Sequence, residues 1–112
     1  MAELATLARP YARAVFAVAQ DSGAVDAFGQ GLALLGAAAS APEVAAMLAA
    51  PRPGPAVKAQ ELAAFLPEGA PEGLRALLTV LAENKRLALL PEIATQYAVA
   101  RDALEQSLDV EV

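Results

Sequence analysis

Apolar residues recur at helical spacing along most of the chain, and residues that favour turns divide it into six segments. The breaks between the segments contain glycine or proline, residues that commonly end or begin helices. A compact six-helix bundle, and therefore an all-α fold, is the predicted architecture. The predicted helices cover approximately Leu4–Gln20, Ala24–Ala39, Pro42–Ala50, Pro55–Leu66, Glu72–Asn84 and Leu87–Ser107.

Proline and glycine inside the first two segments leave two local questions open. Pro10 lies within the first helix, where it removes one backbone hydrogen bond unless the helix begins late. Gly29, Gly31 and Gly36 weaken the second helix by up to about 1 kcal/mol each relative to alanine. Either packing compensates for these glycines, or they permit a close helix crossing.

The last five residues of the chain, 108–112, alternate between apolar and acidic side chains, which is the period of a strand. So short a segment has no visible pairing partner and is not a stable strand by itself. We therefore predict a six-helix domain over residues 1–107, followed at 108–112 by a truncated junction to an absent C-terminal region.

Composition excludes several classes of protein. The chain is 57% hydrophobic with a mean hydropathy of +0.44, but no apolar run is long enough to span a membrane. Much of the excess is alanine, roughly a quarter of all residues, which favours helices. The net charge of −5 and the eight dispersed basic residues argue against nucleic acid. With no signal peptide visible at the N-terminus, we expect a cytoplasmic location and no direct membrane insertion.

The residues needed for most catalytic chemistry are missing. The sequence contains no His and no Cys, which rules out the common catalytic triads and zinc sites, and no glycine-rich phosphate loop follows a strand. Acid–base work by a pair of carboxylates is not excluded, although Glu61, Glu68, Glu72 and Glu83 lie on predicted polar faces or loops. We expect no enzyme activity, no metal and no cofactor.

Two predicted helices have wider apolar faces than one core contact requires. On the first helix the apolar arc covers about 200°, whereas a surface helix needs little more than about 100°. Its centre is formed by Leu4, Leu7, Tyr11, Val15 and Val18, with Ala14 to one side. On the fifth helix Leu74, Leu78 and Leu81 form the centre, with Leu77, Val80 and Asn84 to one side. A groove for a partner helix fits this pattern, but so do two helices wholly covered within the bundle, which periodicity alone slightly favours.

Two segments carry a resemblance to a known family. The stretch 8–16, ARPYARAVF, and the stretch 81–87, LAENKRL, followed by LPEI at 90–93, resemble the delta subunit of F-type ATP synthases. The mitochondrial counterpart of that subunit is the oligomycin-sensitivity-conferring protein. The closing residues 110–112 resemble the family's junction into its C-terminal region. The likeness covers essentially the whole chain, and the separation of the two motifs makes it specific.

The resemblance implies the N-terminal, six-helix domain of a non-catalytic stator subunit in a proton-translocating complex. Such a subunit holds the catalytic head on the peripheral stalk at the cytoplasmic face of the bacterial plasma membrane. It also implies two partners, the N-terminal helix of an alpha subunit and, through the absent C-terminal region, the b subunits. The implied alpha-binding residues lie on the first and fifth helices: Tyr11, Ala14, Val15, Leu77, Val80 and Asn84. The alternative is another helical protein-binding or self-associating module.

The chain departs from the family pattern at Lys85, where many members have glycine. A lysine in the left-handed conformation would cost roughly 1 kcal/mol, unless the fifth helix ends differently here. The chain is also shorter than family members, so we expect it to be a domain fragment.

Overall fold

Most of the described chain is helical, in agreement with its helix-favouring composition. A computed structural model describes residues 2–110, with side-chain environments for residues 3–107. This part of the chain forms α1 Ala2–Asp21, α2 Val25–Ser40, α3 Pro42–Ala49, α4 Pro55–Ala63, α5 Glu72–Glu83 and α6 Leu90–Val110, with a 3-10 turn at Leu87–Leu89. The all-α prediction and the six predicted helices are confirmed.

Several helix ends differ from the prediction. The first helix begins at Ala2, two residues before the predicted start, so Pro10 lies well inside it and the late start that would have spared its missing hydrogen bond does not occur. The fourth helix stops at Ala63, because residues 64–66 tighten into a turn in which the N–H of Leu66 donates to the Ala63 carbonyl over 3.0 Å. The sixth α-helix begins at Leu90, so Pro91 lies in its first turn, where a missing N–H costs little.

The alternation of apolar and acidic residues at the end of the chain is typical of a strand, but the described part of this segment is helical. Helix α6 continues through Val110, while Glu111 and Val112 lie outside the described residues. Extending an existing helix gains one hydrogen bond for each residue that is fixed, whereas a strand needs a partner to pair with. The helix therefore takes residues 108–110 despite their period of two.

Glycines let the helices of the bundle approach one another closely. Helix α6 packs along α2 and α1, and α4 packs against α5. A Cβ atom at Gly36 would lie 3.0 Å from the Cβ of Ala94 and 3.4 Å from the Cα of Pro91. A Cβ at Gly31 would collide with the side chain of Leu74. The glycines of α2 therefore permit close crossings, which is one of the two alternatives that the sequence left open.

Tyr97 joins three helices at the centre of the bundle. Its ring is buried and meets Phe16 of α1 edge to face at 5.2 Å, and its hydroxyl donates to the Val25 carbonyl of α2 over 2.6 Å. Burial raises the pKa of the Tyr97 hydroxyl, with Arg101 acting in the opposite direction. The neutral hydroxyl is therefore retained, and its one donor is satisfied inside the bundle.

Among the described helices, none alone has both the length and the apolar character needed to cross a membrane. Helices α2 and α3 satisfy those criteria when taken together, but they meet at a bend of 81°.

Candidate functional site

Helices α1 and α5 lie side by side and run in opposite directions. At one end of the pair, a Cβ atom at Gly73 would lie 3.8 Å from the Cγ1 of Val18. At the other end, the Tyr11 hydroxyl accepts hydrogen bonds from the Asn84 amide at 3.3 Å and from the Arg86 guanidinium at 3.2 Å. Residue numbers rise from Tyr11 to Val18 on α1 and fall from Asn84 to Gly73 on α5 in the same direction. The pair is therefore antiparallel.

The two helices each carry an inner row of buried apolar residues. In α1 this row consists mainly of alanine, and in α5 it consists of leucine. Small side chains allow the backbone of α1 to approach the core closely, while the leucines of α5 fill the space beside it. The inner row contains Ala8, Ala12, Val15 and Ala19 of α1 and Leu74, Leu78 and Leu81 of α5.

An outer row of apolar residues lies beside the inner row and faces the surface. Its largest members on α1 are well exposed, at 44% for Leu4, 41% for Leu7 and 51% for Val18. On α5, Val80 is 44% exposed, while Leu77 is half-buried against the core. The outer row contains Leu4, Leu7, Tyr11, Ala14 and Val18 of α1 and Leu77 and Val80 of α5.

The six residues assigned to the site from the sequence differ in accessibility. Ala14, Val80 and Asn84 are exposed, and Tyr11 and Leu77 are half-buried. Val15, by contrast, is buried in the core with only 5% of its surface exposed. Val15 therefore supports the face from beneath, whereas the other five residues are accessible on it. Direct contact is present between Tyr11 and Asn84.

Leu4, Leu7, Val18 and Arg86 belong to this face but were not among the predicted site residues, although the first three were placed on the apolar arc of the first helix. The first three follow a signal that was present, since residues 4, 7, 11, 14 and 18 alternate steps of three and four and therefore share one helix side. Periodicity identified this apolar arc but not which part of it meets the core. No comparable signal marked Arg86, because its position depends on how α5 ends.

The end of α5 places Arg86 beside the outer row. Lys85 adopts the left-handed conformation, with φ of +59°, so the helix does not end in a different way to accommodate the lysine. The Lys85 N–H donates to the Ala82 carbonyl at 3.0 Å, and the Arg86 N–H donates to the Leu81 carbonyl at 2.7 Å. This pair of bonds is the Schellman motif, which reverses the chain and satisfies two carbonyls of the last turn. The Arg86 guanidinium then lies 6.0 Å from the centre of the Tyr11 ring.

The larger concavities of the molecule lie elsewhere. One of about 560 Å³ lies between α3, α4 and the end of α5, and one of about 590 Å³ lies between α1 and α6. A surface for a helix does not need an enclosed cavity, since helix recognition relies on an apolar strip with anchors spaced by one turn. Among the described residues, no group of acidic side chains is arranged to hold a metal ion. The uncovered apolar strip on α1 and α5 is therefore the stronger candidate site.

Fold and surface together define a small helical-bundle domain with an uncovered apolar face between two antiparallel helices. The family model described as ATP synthase delta (OSCP) subunit matches residues 7–112. The chain belongs to this family, which confirms the resemblance carried by the two sequence motifs.

Individual relatives agree with the family match. The chain is 49% identical over 112 residues to the ATP synthase subunit delta of Marinobacter nauticus, covering 100% of this chain and 63% of the relative. It is 42% identical over 110 residues to that of Acinetobacter baumannii, covering 98% of this chain and 62% of the relative. It is 42% identical over 112 residues to that of Laribacter hongkongensis, again covering 100% and 63%. The chain thus spans less than two thirds of the length of these relatives.

Proposed function

We propose that this chain is the N-terminal domain of a non-catalytic stator subunit of an F-type ATP synthase, and that it binds the N-terminal helix of the alpha subunit. Membership of the ATP synthase delta (OSCP) subunit family supports the stator role. The outer row supports the binding mode, because it keeps large apolar side chains uncovered along two adjacent helices. That outer row is the observation on which the proposed binding mode rests.

The dimensions of the outer row suit a helical ligand. From Leu4 to Val18 the row extends over fourteen residues of α1, or about 21 Å at about 1.5 Å per residue. An amphipathic helix of four turns would cover that length and place its apolar stripe on both helices at once. Such a contact buries on the order of 1,200 Å² in total, which is enough for a specific complex when a few anchors pack well.

The proposed role is mechanical. Rotation of the central stalk exerts torque on the catalytic head, and a stator must resist this torque without taking part in the chemistry. Binding energy is then the only property that the domain has to supply. We assign contact with the b subunits of the peripheral stalk to a C-terminal region of the longer subunit, and we place the complex at the cytoplasmic face of the bacterial plasma membrane.

An NMR titration with a synthetic peptide of the alpha N-terminal segment tests the binding mode. We expect backbone amide shifts confined to α1, α5 and the residues between Asn84 and Leu87. Shifts confined to the furrow between α1 and α6 would move the site to another face. A wild-type domain that shows no shifts at high peptide concentration would contradict the proposed partner.

Replacing each of two alanines of α1 by aspartate makes the test more specific. Ala14→Asp places a charge within the outer row, where a docked helix would bury it without a partner, so we expect binding to be lost while the fold remains. Ala17→Asp places the same charge on the same helix, but at the α1–α6 furrow, and should leave affinity unchanged. Equal affinity of the two variants in calorimetric titration would remove Ala14 from the site. Concentration-dependent mass of the free domain in sedimentation would instead favour self-association through this face.

A further inference from the structure

The concavity of about 560 Å³ lies where the end of α3, the beginning of α4 and the end of α5 meet, and we call it the α3–α4 cavity. Its volume is within the range of small-molecule sites, about 300–1,000 Å³. The buried side chains of Ala82 and Leu87 line it, together with the half-buried Leu48. Alanines and prolines within residues 45–55 complete the lining. The walls of the cavity are therefore mainly apolar.

A half-buried lysine, Lys58 of α4, lines this apolar cavity. Its ammonium donates to the carbonyls of Leu48, over 3.1 Å, and Ala50, over 2.5 Å, at the end of α3. An ammonium carries three N–H donors, so one is left for a further acceptor. No carboxylate of residues 3–107 lies within ion-pair distance of Lys58. The ammonium is thus fixed in position but has no anionic partner in this part of the chain.

A second basic residue, Lys85, lines the same cavity from the end of α5. Lys85 is exposed and also forms no ion pair with a described residue. Its backbone has φ of +59°, a conformation that glycine adopts with less strain than any residue with a Cβ atom. Strained backbone positions are concentrated at binding sites, where the side chain is needed for function. The Lys85 side chain is therefore a candidate for ligand contact.

The charges around the α3–α4 cavity favour an anion. Glu61 lies one turn beyond Lys58 on α4, and Glu83 lies two residues before Lys85, but neither lines the cavity. The last carbonyls of α3 carry the negative end of a helix dipole, which would repel an anion. Lys58 occupies two of these carbonyls and so offsets that effect. Lysines are the charged side chains that line the cavity, and its polar part is consequently positive.

We propose that the α3–α4 cavity binds a small amphipathic carboxylate. The carboxylate is shared by Lys58 and Lys85, and the apolar body of the ligand lies against Leu48 and Leu87. The remaining N–H of Lys58 donates a charge-assisted hydrogen bond to the carboxylate, and burial of the apolar body removes hydrocarbon surface from water. The site is separate from the outer row, so it does not depend on the proposed helix-binding role.

Octanoate is the probe for this site, and octanamide and acetate are its controls. Octanamide keeps the apolar chain without the charge, whereas acetate keeps the charge without the chain. In NMR titrations of the isotope-labelled protein, octanoate should bind about fivefold more tightly than octanamide, the range of two accessible ion pairs, and at least about tenfold more tightly than acetate. Its shifts should centre on residues 45–58 and 82–88. Equal affinities for octanoate and either control, or shifts centred on the outer row, would overturn the proposal.

Lys85→Gly separates ligand binding from folding. The substitution removes an ammonium from the cavity and relieves the left-handed lysine, so the fold should be retained, which circular dichroism checks. Octanoate affinity should fall about threefold, while octanamide affinity should stay at the wild-type value. Arg13→Gln is the matched control, because it removes a cation from the furrow between α1 and α6. Unchanged octanoate affinity for Lys85→Gly, or an equal loss in both variants, would overturn the proposal.

Discussion

Val15 and Val18 are both valines of α1, three positions apart, but they differ in solvent exposure. Val15 is 5% exposed and belongs to the inner row, whereas Val18 is 51% exposed and belongs to the outer row. Helix α5 repeats the contrast with Leu78, which is buried, and Val80, which is exposed. Burial in the monomer explains the inner row but not the outer one. A contiguous apolar row left on the surface is typical of an interface.

The strongest test of the comparison is a cavity in the inner row. Leu78→Ala removes a buried side chain from α5 and should lower the free energy of unfolding by about 3 kcal/mol. Leu34→Ala makes the same change at an exposed leucine of α2 and should cost less than about 0.5 kcal/mol. Guanidinium denaturation followed by circular dichroism measures both. Similar losses for the two variants would contradict the division into buried and exposed rows.

The two valines provide a more direct comparison. Val15→Ala should lower the free energy of unfolding by about 2 kcal/mol because it opens a cavity, while Val18→Ala should change it by less than about 0.5 kcal/mol. Peptide affinity should show the opposite ranking, with a loss of about threefold for Val18→Ala from reduced apolar burial. Isothermal calorimetry at a temperature where both variants are folded measures this. A larger loss of affinity for Val15→Ala than for Val18→Ala would contradict the distinction between a core row and a binding row.

A change of stability that touches neither row separates folding from binding. Gly23 ends α1 in the left-handed conformation at φ +67°, and a Cβ there would have nothing within 4 Å. Gly23→Ala should therefore cost about 1 kcal/mol through the backbone alone. Thermal unfolding should record the loss, and peptide affinity should remain at the wild-type value. A fall in affinity would mean that peptide binding depends on the overall stability of the domain and not only on contacts with the outer row.

Helix α5 ends in the same motif as α1, but with lysine in place of glycine. The N–H of Ala24 donates to Ala19 at 2.8 Å at the end of α1, as the N–H of Arg86 does to Leu81 at the end of α5. Lys85→Gly should therefore raise the free energy of unfolding by about 0.5 kcal/mol, since relief of the left-handed lysine slightly exceeds the added entropy of the unfolded chain. A decrease, measured by the same denaturation, would mean that the lysine side chain stabilises the motif.

Most of the fold could be predicted from local sequence, because apolar period and helix-ending residues are local properties. The six helices followed from them, and so did the inner row of α5. Which side of α1 meets the core could not be predicted in this way. Alanines, not the larger Leu4 and Leu7, form the close contact, and this choice depends on the shapes of α5 and α6. The helical backbone of residues 108–110 was missed because side-chain alternation was weighed without the helix that precedes it.

A comparably small change in stability is expected at Val80, at the exposed edge of α5. Val80→Ala should alter the free energy of unfolding by less than about 0.5 kcal/mol, since the side chain is 44% exposed and alanine favours helix. If a helix covers the outer row, the same change removes apolar area from the interface and should weaken binding by about 1 kcal/mol. Val99→Ala on α6 provides the control, because Val99 is exposed but lines the furrow between α1 and α6. Equal affinities for the two variants would exclude Val80 from the interface, whereas a loss confined to Val80→Ala would show that an outer-row residue can contribute to binding while contributing almost nothing to folding.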